Sequence, residues 1–87
     1  MSDIPWKLIQ STNIKCIRYT ESNKELFVVF HGRTNYVYIY KDIPAVIAKV
    51  LSECDIPGAY LNRSIKGKFL YTSRRLEIDE LKKIGEL

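Results

Sequence analysis

The chain has 87 residues, 46% of them hydrophobic, and a formal net charge of +4. A chain this long makes one domain that buries about 60–65% of its unfolded surface, which excludes long unsupported loops. With four Gly, three Pro, two Cys and one His, the composition leaves no linker, low-complexity arm, CxxC pair or multi-histidine metal site.

Residues 1–12 read as irregular because of Pro5, with Trp6, Leu8 and Ile9 capping one end of the core. This start has no basic n-region, and no apolar run is long enough for a signal peptide or a membrane span. A cytoplasmic protein with no membrane partner is therefore expected. Asn13–Thr20 reads as a strand with Ile17 and Tyr19 on one face, and Glu21–Lys24 as a hairpin turn. Leu26, Val28 and Phe30 line one face of a second strand. Tyr36, Tyr38 and Tyr40, two apart, line one face of a third. Pairing Ile17 with Val28, Tyr19 with Leu26 and Val28 with Tyr38 puts all of these on one side. Cys16, Phe27, Val29, Val37 and Ile39 then share the other side, so the sheet needs two covers.

Pro44 fits the first turn of a helix, with Asp42 as N-cap and an apolar stripe of Val46, Ile47, Val50 and Leu51. A second helix begins with Asp55 near its N-cap and Pro57 in its first turn. It turns Tyr60, Leu61 and Ile65 inward and stops at Gly67. Phe69 and Tyr71 follow in an extended piece. A third helix over residues 75–87 carries Leu76, Ile78, Leu81, Ile84 and Leu87, and covers the second sheet face in cis or docks on another copy. The expected fold is α+β: a three-stranded antiparallel meander with two helices packed on its tyrosine face, plus a C-terminal helical extension. Residues 1–75 make the domain and residues 76–87 the tail, packing on the sheet or on a partner subunit.

The charge is unevenly spread. Residues 1–75 carry a net +6 and residues 76–87 a net −2, and the window Arg63–Arg75 holds five basic residues and no acid. Such a block is a candidate polyanion site. Within it Arg63, Lys66, Lys68, Arg74 and Arg75 would meet phosphates, and Asn62 a base or ribose edge. Tyr60 and Phe69 read as core. Arg18, Arg33 and Lys41 would extend the surface, with Arg33 at a hairpin tip, and Tyr40, at its strand's end, is the tyrosine expected to be accessible. RNA recognition by small domains joins cationic contacts to aromatic stacking in this way.

The ordered set Ser11-Thr12-Asn13-Ile14, Ile17 and Tyr19, Leu26-x-Val28-x-Phe30, Tyr36-x-Tyr38, Ile43-Pro44, Gly58-x-Tyr60-Leu61-Asn62 and Ile65-Lys66-Gly67-Lys68-Phe69 resembles the KTSC domain. The likeness covers about residues 11–71. The chain departs from the family pattern at Thr12, usually a second serine, and at Arg18-Tyr19-Thr20, where Gly-Tyr-Asp is favoured. It also departs at Leu61 and Phe69, which stand for a Phe and a Tyr, and at Gly32, one position early. These changes are conservative enough to keep the fold. The family is named for the C-terminal module of certain lysyl-tRNA synthetases and includes small bacterial and phage proteins, which implies RNA contact by association.

The expected function is a non-catalytic nucleic-acid-binding module, directed at RNA or tRNA through a basic helix–loop surface, with RNA or another polyanion as partner. The alternatives are a protein-interaction or oligomerisation module, or a phage accessory protein that binds a protein or a small anionic ligand. A homodimer would use Phe27, Val29, Val37 and Ile39 with Leu81 and Ile84 of the tail. No catalytic residue, cofactor or metal is expected. His31 has no partner histidine, and neither Cys16 nor Cys54 has the sequence context of an activated nucleophile.

Overall fold

Alternating apolar residues between Ile14 and Tyr40 build the middle of a sheet. A computed structural model, which describes residues 3–87, has five strands in chain order: β1 (Ile4–Leu8), β2 (Ile14–Thr20), β3 (Glu25–Phe30), β4 (Tyr36–Tyr40) and β5 (Tyr71–Arg75). Every neighbouring pair is antiparallel. Helices α1 (Ala45–Glu53) and α2 (Pro57–Ser64) lie between β4 and β5, and α3 (Ile78–Gly85) follows β5.

The expected three-stranded meander is the centre of this larger sheet. Both missed strands lie at its edges. β1 contains Pro5, which an edge strand tolerates because its outward N–H is not needed, and its register shifts between Ile4 and Lys7. Trp6 and Ile9 do not cap one end together: they belong to opposite cores, and Leu8 is exposed. β5, with the sequence YTSRR, is polar and mostly exposed, so it lacks the apolar alternation that marks a strand in sequence.

The central register is the expected one, with Ile17 opposite Val28, Tyr19 opposite Leu26 and Val28 opposite Tyr38. A register shift between Ile14 and Cys16 turns Ile14 onto the same side as Ile17. The front of the sheet thus presents Ile14, Ile17, Tyr19, Leu26, Val28 and Tyr40, packed under Ile43, Ala48, Leu51, Leu61 and Ile65. Tyr19 donates a buried hydrogen bond to the Ile43 carbonyl at 2.6 Å, which ties the sheet to the entry of α1. The α1 stripe differs from the expected one. Ala48 and Leu51 are buried while Val46 and Val50 are exposed, because the helix docks along the 48–51 edge of its apolar sector. Asp42 is not the N-cap: its φ is 57°, and Pro44 holds that position with no side-chain cap. At α2 the N-cap is Ile56, so Asp55 stands next to it as expected, and the first turn holds Pro57.

The back of the sheet gathers Trp6, Cys16, Phe27, Val29, Val37 and Ile39 into a second core, closed by Leu76 and Ile84 of the same chain. The tail therefore covers this face in cis. Its inward row is Leu76, Glu80, Ile84, at i, i+4 spacing, rather than the series through Ile78 and Leu81, which are exposed. Eight residues make a marginal helix, but α3 starts with a reciprocal capping box between Glu77 and Glu80. Glu80 also accepts two hydrogen bonds from Arg74, at 2.7 and 3.0 Å.

Candidate nucleic-acid interface

Strand alternation decides which basic residues share a surface. β5 pairs with β4 so that Tyr71 stands opposite Tyr40, Ser73 opposite Tyr38 and Arg75 opposite Tyr36. These pairs lie on the front, beside the helices. Thr72 and Arg74 point to the back, where Arg74 is bound to Glu80. Glu80, through that hydrogen bond, raises the Arg74 pKa, and Arg74 in turn holds the Glu80 carboxyl below its ordinary value. Arg74 is therefore removed from the expected phosphate contacts, because it is spent in docking α3.

Tyr40 is the second correction. It is 2% exposed, because β5 extends the sheet past it and Tyr71 packs over it at 5.4 Å. Burial pushes its phenol up to about 12, with the neighbouring Tyr71 and Tyr38 adding to the effect. Two further cations leave the expected surface. Lys41 pairs with Glu25 at 2.6 Å, and Arg18 lies 5.0 Å over the Phe27 ring on the back face.

What the front edge assembles is a cleft of about 510 Å³ lined by Phe30, Arg33, Tyr38, Tyr40, Lys66, Gly67 and Tyr71. Its aromatic wall is contiguous. Tyr38 meets Phe30 edge-on at 5.3 Å and Tyr71 in a tilted contact at 5.7 Å. Two cations stand on it. Lys66 Nζ lies 5.3 Å from the Phe30 ring centroid, and Arg33 Nη1 donates to the Tyr38 hydroxyl at 3.2 Å. Lys66 reaches this place from the end of α2, where Gly67, at φ 78°, takes the left-handed conformation that reverses the chain. Arg33 comes from the 3-10 turn His31–Arg33 that joins β3 to β4.

Next to the cleft, Arg33 and Arg75 stack on Tyr36, their guanidinium carbons 4.6 and 5.7 Å from its ring centroid. The Arg75 hydrogen bond and charge, with Arg33 beside them, hold the Tyr36 phenol below its ordinary value. A second hollow shares Phe30 and Lys66 with the cleft and adds Asn13, Gly58 and Asn62. The two hollows adjoin at Phe30 and Lys66 along one groove edge. Arg63 and Lys68 are exposed beyond it, and no side-chain hydrogen bond or ion pair holds either among the described residues.

The Ser11–Asn13 segment braces this groove from below. Ser11 Oγ accepts from the backbone N–H groups of Asn13 and Ile14, and the His31 N–H donates to the Asn13 carbonyl at 2.9 Å. A Cβ on Gly58 would lie 3.3 Å from Asn13 Nδ2 and 3.5 Å from Ser11 Oγ. Glycine at 58 thus lets the start of α2 close on the loop.

A family model described as the KTSC domain matches residues 10–69, most of the chain. The chain belongs to the KTSC domain family. The crystal structure of a KTSC domain protein from Yersinia pestis is similar to it, with a TM-score of 0.72 and 25% sequence identity, over 84% of this chain and 97% of the other. No curated protein gives a significant match. The KTSC match takes in Arg33, Tyr38, Asn62 and Lys66, but stops before β5. It includes one side of the groove and leaves Tyr71, Arg75 and the whole of α3 outside.

Of the residues that sequence reasoning singles out, Lys66 lines both hollows, Arg33 only the cleft and Asn62 only the second hollow; Arg75 flanks the cleft, and Arg63 and Lys68 lie outside both linings. Phe30, Tyr38 and Tyr71 were not singled out as surface groups. The signal for Tyr71 was its alternation with Ser73 and Arg75, legible only once YTSRR is taken as a strand. The expected interface residues Phe27, Val29, Val37, Ile39 and Ile84 are buried within the chain, and Leu81 alone of that set is exposed. Among the described residues no helix is long and apolar enough to cross a membrane, and no His, Cys, Asp or Glu cluster is arranged to hold a metal ion. Burial pushes the Cys16 thiol up to about 11, the opposite of activation.

Proposed function

We propose that this chain is a non-catalytic nucleic-acid-binding module directed at RNA. The observation that carries this reading is the meeting of Lys66 and Arg33 over one aromatic wall, although they come from a helix end and a hairpin tip. Cations beside half-buried Phe30 and Tyr38, with the exposed ring of Tyr71 next to them, bring together the two ingredients of single-strand RNA recognition, phosphate neutralisation and stacking. Arg63 and Lys68, whose side chains have no ion-pair partner among the described residues, supply two further positive charges near by in sequence. The back face, where self-association was the competing reading, is occupied by α3 of the same chain.

Three phosphate contacts, one shared by Arg33 and Lys66 and one each at Arg63 and Lys68, give a slope of about −2 in log affinity against log salt for a single strand. Fluorescence anisotropy of a labelled tRNA and of a single-stranded RNA, over a salt series, measures this slope. A slope near zero, or no association at low salt, contradicts the proposal.

A further inference from the structure

We infer that the cleft between Tyr71 and Lys66 is a subsite for one nucleotide of a single strand, the base lying on Tyr71 and its phosphate held between Lys66 and Arg33. This rests on the nucleic-acid reading and names the ligand unit of that site. Aromatic clefts commonly take cations, through the negative faces of their rings. Here that role is already filled: Lys66 stands over Phe30, and Arg33 is bonded to the Tyr38 hydroxyl. A second cation would meet two like charges, so the ligand must be anionic or neutral.

The rings then restrict it further. Tyr71 is 56% exposed, although it packs on both Tyr38 and Tyr40 at 5.7 and 5.4 Å. It is thus a fixed platform whose open surface needs a flat partner. Its neighbours Tyr38 and Tyr40 are held by the sheet, so little ordering is left to be done on binding. A planar ring on Tyr71 with an anion toward Lys66 and Arg33 is the chemistry of a nucleotide. The volume of about 510 Å³ is in the range of small-ligand sites. A duplex would keep its bases stacked on each other and leave Tyr71 uncovered, so a single strand is selected.

The test is an NMR titration of the full chain with uridine and adenosine 5′-monophosphates, and separately with inorganic phosphate and with the nucleosides. Anisotropy with single-stranded RNA is run in parallel on the native chain, Tyr71→Ala and Tyr71→Phe. Trp6 sits in the opposite core, so its unchanged emission verifies that the variants fold. The nucleotides are expected to shift the ring resonances of Phe30, Tyr38 and Tyr71 saturably, and more tightly than phosphate or nucleoside alone. Tyr71→Ala should weaken RNA binding about tenfold, with Tyr71→Phe close to the native chain. Phosphate binding as tightly as nucleotide would overturn the stacking subsite. So would equal RNA affinity for the native chain and Tyr71→Ala, although the basic groove would then stand. RNA failing to bind the native chain at all would remove both readings.

Discussion

Arg74 and Arg75 are adjacent in sequence and have opposite fates, because successive residues of a strand face opposite sides. Arg75 joins the Tyr36 stack at the front, while Arg74 anchors α3 at the back. The Arg74–Glu80 pair is partly exposed on the arginine side, so its own contribution is below about 1 kcal/mol. Glu80 also accepts the Glu77 N–H of the capping box. Glu80→Ala, which loses both interactions, is therefore expected to cost about 1–2 kcal/mol in urea unfolding, and Glu80→Gln, which can keep the cap, less. Because the native Glu80 carboxyl titrates below its ordinary value of 4.5, this stabilisation is present above that value. It is lost as pH falls through the lowered native one, and Glu80→Gln should flatten that part of the pH–stability curve. The tyrosines give a second test. In an ultraviolet titration Tyr36 should ionise ahead of the ordinary value and Tyr40 well after it, at about 12. A Tyr36→Phe variant removes the early step.

At the level of the elements, the tail determines whether the back of the sheet is a core or an open surface. Ile84 and Leu76 close over Trp6, Phe27 and Ile39. Ile84→Ala is expected to destabilise by about 2 kcal/mol, the low end for a large-to-small change, since the site is near the surface. Deleting residues 76–87 should shift Trp6 emission to the red and lower the unfolding midpoint. An unchanged spectrum would mean that α3 does not cover this face. The register of β2, β3 and β4 was legible because apolar residues alternate on both faces there, leaving one pairing that keeps Ile17, Val28 and Tyr38 together. The edges were not legible. Pro5 argues against a strand everywhere except at an edge, and YTSRR buries almost nothing that hydropathy detects. Without β5 its neighbours read differently: Tyr40, at the end of β4, reads as accessible, and Arg74 reads as a free cation.

For the whole molecule, the net charge of +4 says less than its division between two faces. The sequence window Arg63–Arg75 marked the right region but not the right set. Lys66 belongs to the groove, Arg74 does not, and Arg33 joins from a hairpin far away in the chain. No spacing rule links Arg33 to Lys66; they meet because both chain reversals, the 3-10 turn and Gly67, open onto the same edge of the front face. The central claim is that this placement, rather than total charge, makes the binding surface. The direct measurement compares two double variants in RNA-binding anisotropy at one salt concentration: Arg33→Glu with Lys66→Glu in the groove, and Lys82→Glu with Lys83→Glu on exposed positions of α3. Both change the net charge equally. The groove variant is expected to lose affinity about tenfold or more and the α3 variant little; equal losses in the two would contradict the account.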